Sequence, residues 1–183
     1  MDKLIPGTNI KYSTSDDVFA VFRPLIELTG GLSLGQICSI TGLQSSTIQN
    51  WVKRGYVQRP VRKKYSEKHL SRILLISALR DCINIEEIGE IMNLINGDTE
   101  DESDDIISDT KLYEYFALAI KNIDSLTLND EDIETVINRL LENETHKNEL
   151  VYALKIMVYA YITGICFKKI DENLENLKTY RRK

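Results

Sequence analysis

Apolar residues recur at helical spacing along most of the chain, and the breaks between them are marked by glycine and by capping residues. Ile37 and Ile40 form the inward face of a short helix opened by Ser33-Leu34-Gly35-Gln36, a Ser-x-x-Gln pair that satisfies the free amides of a first turn. Gly42 stops it. After Thr41-Gly42-Leu43-Gln44, a second short helix begins at Ser45-Ser46-Thr47, turns Ile48, Trp51 and Val52 inward, and closes at Gly55. Two short helices across a glycine turn predict a helix-turn-helix. The run Tyr56-Val57-Gln58-Arg59-Pro60-Val61-Arg62-Lys63-Lys64-Tyr65 then predicts two very short strands around a basic loop, a small wing.

Ser66 caps a further helix with Leu70, Ile73, Leu74, Ser77 and Ala78 at helical spacing, and Asn84-Ile85-Glu86-Glu87 is a capping box for a helix reaching Ile95. The acidic stretch Asp98 to Asp105 lacks large apolar residues and predicts a solvated linker. Three helices follow, near 111–123, 130–144 and 146–180. Before the helix-turn-helix, residues 16–30 predict one helix interrupted at Pro24. The division expected is an N-terminal extension over 1–30, a DNA-reading unit over 31–97, a linker over 98–110 and a helical module over 111–183. The fold class is mainly α, a winged helix-turn-helix with a very small β wing followed by helices.

Charge changes the picture. The chain has 183 residues and a net charge of −5, which taken whole argues against a nucleic-acid partner. Residues 31–72, however, carry eight basic groups and one acidic group, a net +7, while residues 1–30 carry −1 and the remaining 111 carry −11. A short basic block in an acidic protein is the footprint of local phosphate contact. Apolar residues at 43% and charged residues at 28% describe an ordinary globular chain. The three cysteines, Cys38, Cys82 and Cys166, are far apart and sit among apolar neighbours, as in a reducing compartment. No basic stretch leads into an apolar run at the N-terminus, so a cytoplasmic location is expected.

The block from Gln36 to Leu43, then Thr47-Ile48, Gly55-Tyr56-Val57 and Lys64-Tyr65-Ser66-Glu67-Lys68-His69-Leu70, resembles the MerR family of transcription regulators. The continuation through Arg72-Ile73 and Ile85-Glu86-Glu87-Ile88 resembles the helix pair beside the MerR wing. More narrowly, Thr47 to Tyr56 resembles an uncharacterised MerR-like family of Gram-positive bacteria, catalogued as a domain of unknown function. The resemblance implies a dimeric winged helix-turn-helix regulator of transcription. The chain departs from it at Gln49-Asn50-Trp51, where MerR proteins carry an Arg-Tyr-Tyr run, and in the shorter wing, so repression is slightly favoured over activation.

A recognition helix sets its first turns against base edges, so Gln44, Ser45, Ser46, Gln49, Asn50 and Lys53 are the expected base readers when Ile48 and Val52 face the core. Arg54, Arg59, Arg62, Lys63, Lys64 and Arg72 are the expected phosphate contacts. Trp51 is expected in the core, and His69 on the surface of the helix after the wing. The alternative is an adaptor whose winged fold binds another protein. An enzyme is not expected: His69 and His146 lie far apart with no nucleophile beside them, and no Cys/His set has metal-ligand spacing. No cofactor or metal is implied.

The stretch Leu150 to Phe167 is apolar nearly all round and approaches membrane-span length, but Lys155, Thr163 and Gly164 favour burial between protein surfaces. It is expected to join two copies through Leu154, Met157, Tyr161 and Ile165 on a two-fold DNA site. Tyr113, Tyr115, Phe116, Tyr152, Tyr159 and Tyr161 are read either as core or as the lining of a small-molecule effector pocket.

Overall fold

The computed structural model describes residues 4–12, 17–96, 106–123 and 129–181, with side chains described as far as residue 179. The acidic stretch Asp98 to Asp105 lies outside the described residues. The regular structure found is helical: α1 Arg23–Thr29, α2 Leu34–Thr41, α3 Ser45–Lys53, α4 Glu67–Leu79, α5 Ile85–Asn96, α6 Asp109–Asn122, α7 Asp130–Leu140 and α8 Lys147–Arg181.

Capping chemistry sets most of the starts. At α2 the Gln36 N–H donates to Ser33 Oγ at 3.3 Å while the Ser33 N–H donates to Gln36 Oε1 at 2.7 Å. Asn84 and Glu87 reciprocate at α5 in the same way, at 2.9 and 3.3 Å. The interrupted helix expected over 16–30 is shorter than its apolar pattern suggests. Residues 18–22 are turns, with the Phe19 N–H bonded to Asp17 Oδ1 at 2.9 Å, and helix begins only at Arg23 because Pro24 supplies no amide and belongs in a first turn.

The two short strands expected around the basic loop reduce to isolated antiparallel bridges, Val61 with Lys64 and Tyr65 with Leu32. The hairpin goes no further because Tyr65 turns its N–H and C=O to Leu32 and the Ser66 N–H is taken by His69 Nδ1. The Leu32–Tyr65 bridge has both hydrogen bonds at 2.8 Å and ties the end of the hairpin to the entry of α2.

α4 is the central helix. Ten of its thirteen residues are buried, including Ser71 and Arg72, because α2, α5, α6 and α8 all pack around it. One apolar cluster runs without a break from Ile5 through Ile37, Ile48, Trp51, Leu74 and Phe116 to Ala160. The N-terminal arm is part of it. A Leu4–Lys11 bridge folds the arm back, and Gly7 at φ 76° passes so close to α4 that a Cβ there would come 2.4 Å from the Leu74 carbonyl oxygen. From this arm the Asn9 N–H reaches the Ile40 carbonyl at 3.0 Å, Tyr12 OH donates to the Ala117 carbonyl at 2.6 Å, and the Pro6 carbonyl accepts from Tyr113 OH at 2.8 Å. Arg23 makes a similar link, to Glu67 at 3.1 Å on α4 and to Glu114 at 2.9 Å on α6.

Candidate nucleic-acid interface

α3 divides cleanly. Ile48 and Trp51 are buried, while Gln44, Ser45, Ser46, Gln49, Asn50 and Lys53 are all exposed. The helix starts after Gln44, which makes no side-chain cap hydrogen bond, and ends in a Schellman motif. There Gly55, at φ 81°, donates its N–H to the Val52 carbonyl at 3.2 Å, and the Tyr56 N–H reaches back to the Trp51 carbonyl at 3.0 Å. The six expected base readers thus lie on one uncovered surface of a helix whose exit is held by its own backbone.

The basic loop is a two-residue turn. Arg62 and Lys63 both hold left-handed backbone, at φ 50° and 62°, and the Lys64 N–H closes on the Val61 carbonyl at 2.9 Å. Positive φ at both central positions is the geometry of a type I′ hairpin turn, usually built from Asn and Gly. Arg59, Arg62 and Lys63 are exposed; Lys64 is half-buried, with Nζ 3.4 Å from the Gly31 carbonyl.

His69 is not on the surface, contrary to the expectation from its place in the sequence. It is 8% exposed and holds the base of the hairpin. The Ser66 N–H donates to its Nδ1 at 3.1 Å, so Nδ1 carries no proton, and Nε2–H is left to donate to the Arg59 carbonyl at 3.3 Å. The signal was present in the sequence as Ser-x-x-His, a capping pair in which His replaces the usual Glu or Gln.

Besides Lys64, two more of the six expected phosphate contacts are engaged within the chain. Arg54 lies 4.8 Å over the Tyr56 ring and donates to Glu86 at 2.6 Å on the surface. That hydrogen bond holds the Glu86 carboxyl below its usual range and raises the Arg54 guanidinium. Arg72 is buried: its Nε donates to the Tyr56 carbonyl at 2.7 Å, and it pairs with Asp109 at 3.1 Å. Asp109 lies thirty-seven positions away at the start of α6, and no local pattern announces it. Arg72 therefore faces the interior.

The four residues of the expected joining surface do not share one exposed face. Leu154 and Met157 are fully buried in their own chain, Tyr161 packs edge-on to Phe116 at 5.8 Å, and only Ile165, at 39%, is well exposed. Nor do the six aromatic residues line one space. Tyr113 and Phe116 are in the core, Tyr115 and Tyr159 donate hydrogen bonds to Glu144 and Asp130 at 2.6 Å, and Tyr152 is 71% exposed. Over 147–179, α8, which carries Tyr152, Tyr159 and Tyr161, is long and apolar enough to cross a membrane by length and composition, with 39% of its most apolar stretch buried inside the chain.

Residues 31–116 match a domain of unknown function, DUF1836. That span includes α2 to α5 and the first half of α6. The chain is 30% identical to the uncharacterized protein YkrK of Bacillus subtilis (strain 168) over 125 residues, which is 64% of this chain and 54% of that protein. The match thus spans about half the length of that relative. It is 27% identical over 116 residues to the HTH-type transcriptional regulator CueR of Escherichia coli O157:H7, covering 60% of this chain and 78% of the regulator. A shorter match, 32% over 71 residues, covers 36% of this chain and 51% of the CueR of Salmonella typhimurium (strain LT2). No solved structure matches the chain. The chain is therefore mainly helical and similar over part of its length to a regulator of transcription.

Proposed function

We propose that this protein is a sequence-specific duplex-DNA-binding regulator of transcription with a MerR-like winged helix-turn-helix. α3 reads base edges, and the hairpin tip at Arg62 and Lys63, with Arg59, holds the phosphate backbone. The observation that carries this reading is the uncovered polar face of α3, from Gln44 to Lys53, within a segment of net charge +7 in an otherwise acidic chain. Gln and Asn can each make two hydrogen bonds to adenine, and Lys53 reaches guanine or phosphate. The similarity to CueR, named as an HTH-type transcriptional regulator, supports the same reading.

A single helix and a two-residue hairpin tip cover few base pairs, so tight binding requires two copies on a two-fold site. The second copy joins through the far end of α8, where Phe167, Ile170, Leu174 and Leu177 are 46–60% exposed. Occupation of the site by this dimer represses the promoter it covers.

The test is selection of duplexes from a random library by the full chain, followed by fluorescence anisotropy across a salt series. The expected result is enrichment of a two-fold motif, with affinity falling steeply as salt rises. No enrichment, or binding to a protein partner with no salt-sensitive duplex binding, would overturn the proposal in favour of an adaptor.

A further inference from the structure

Arg72 sits where three parts of the chain meet. Its side chain is 5% exposed and that of its partner Asp109 is 1% exposed. One guanidinium nitrogen, Nη1, donates to both Asp109 carboxylate oxygens, at 3.2 and 3.1 Å, while Nε donates to the Tyr56 carbonyl at 2.7 Å. Asn96, the last residue of α5, adds a third donor to Asp109, from Nδ2 at 2.6 Å. A guanidinium is a rigid planar fork, so bonding at both of these nitrogens fixes the distance between the start of α6 and the carbonyl of Tyr56.

Tyr56 lies three residues past the end of α3 and completes its C-terminal cap. Its N–H closes the Schellman motif on Trp51, and its ring lies so close to α5 that a Cβ at Gly89 would come 3.1 Å from Tyr56 Cε1. The exit of the reading helix is thus gripped on one side by its own backbone and on the other by a cation whose counter-ion belongs to α6.

We propose that Arg72 is a positioning residue for α3, set in place by Asp109, so that base reading depends on the seating of α6. This rests on the DNA-binding reading above. A guanidinium buried at this depth and bonded inward does not reach a phosphate, unlike Arg59 and Arg62 on the surface. In the low-dielectric interior a half-satisfied network is costly, so a shift of α6 is passed to the Tyr56 carbonyl rather than absorbed. Whatever seats or loosens α6 in the C-terminal half therefore tunes sequence reading at the other end of Arg72.

The experiment uses the full chain with three changes: Asp109→Asn, Arg72→Lys, and Arg72→Met combined with Asp109→Leu, which removes both charges together so that no ion is left buried alone. Circular dichroism melts establish which variants are folded. Anisotropy is then read on a duplex selected by the wild-type chain and on a random duplex of equal length, across a salt series, with amide exchange followed at Gly55 to Val57.

In the folded variants, affinity for the selected duplex is expected to fall about tenfold. Affinity for random duplex stays near wild type, the salt slope is unchanged, and Tyr56 exchanges faster. If Arg72→Lys or the Met/Leu pair flattens the salt slope by about 0.9, Arg72 is a phosphate contact and the inference is overturned. It is equally overturned if the folded variants keep wild-type selectivity, because the network is then structural alone. Absence of any salt-sensitive duplex binding by the wild-type chain marks a different failure, that of the DNA-binding reading itself, and removes the inference with it.

Discussion

Arg62 and Lys63 hold a conformation in which a side chain costs about 1–3 kcal/mol per residue relative to a relaxed backbone. Asn-Gly at these two positions would form the same turn with less strain, yet the tip carries two cations. Stability and charge are thus in competition at one site. Arg62→Asn with Lys63→Gly is expected to raise the melting temperature by several degrees while weakening duplex binding and flattening the salt slope by about 0.9 for each phosphate no longer neutralised. A lower melting temperature would show that the turn gains from its present residues. On α3, Gln49→Ala or Asn50→Ala is expected to cost about 1 to 3 kcal/mol on a selected duplex and little on random DNA. Equal losses on both would reassign these side chains to the backbone. The exposed face of α3 was legible because a two-turn helix with Ile48 and Trp51 buried leaves few ways to face outward. Arg72 was not, since nothing in the sequence around it indicates that a carboxylate from another helix will claim it.

At the level of elements, α8 contains two helices' worth of chemistry. Its first half buries Leu150, Leu154, Met157 and Val158 completely; from Ile165 onward every described side chain is exposed. Phe167, Ile170, Leu174 and Leu177 follow one another at steps of three, four and three, the spacing of a coiled-coil seam. Substitutions in the two halves are therefore expected to act differently. Leu154→Ala should destabilise the fold by about 2–5 kcal/mol, read from denaturant unfolding, because it opens a cavity in the chain's own core. Ile170→Glu with Leu174→Glu should leave the melt of the core nearly unchanged and convert a dimer into a single chain by light scattering at micromolar concentration. A wild-type chain already monomeric at that concentration, and still binding duplex tightly as one copy, would retire the dimer. The 3.6-residue pattern displayed the helix and its length, but an all-round apolar stretch has no preferred face to read.

For the molecule as a whole, the important fact is that the core does not stop at the acidic stretch. α6 covers α4 with Leu112, Tyr113 and Phe116, all fully buried, and the N-terminal arm is bonded to both α2 and α6. The match to DUF1836 likewise runs on to residue 116. A fragment ending near residue 97 would expose that face of α4 and leave Arg72 without its counter-ion. Such a fragment is expected to show no cooperative thermal transition by circular dichroism, whereas the full chain melts in one step. A sharp melt of the fragment would establish that residues 31–97 are a unit in their own right.

Local chemistry along the chain was enough to determine the helix starts at Ser33 and Asn84, the glycine turn between α2 and α3, the inward set of Ile37, Ile40, Ile48 and Trp51, and the concentration of positive charge between residues 31 and 72. The caps, the turn and the inward set each depend on neighbours within about four residues, the range over which a helix, a cap or a turn is set, and the charge is a plain sum over the sequence. Tertiary structure alone decided that Tyr65 pairs with Leu32, that His69 and Arg72 turn inward, that Leu154 and Met157 serve their own chain, and that the uncovered seam of α8 lies beyond Ile165. These outcomes depend on which surface covers which, and a buried cation or apolar face finds its partner through the packing of distant segments rather than through its neighbours in sequence.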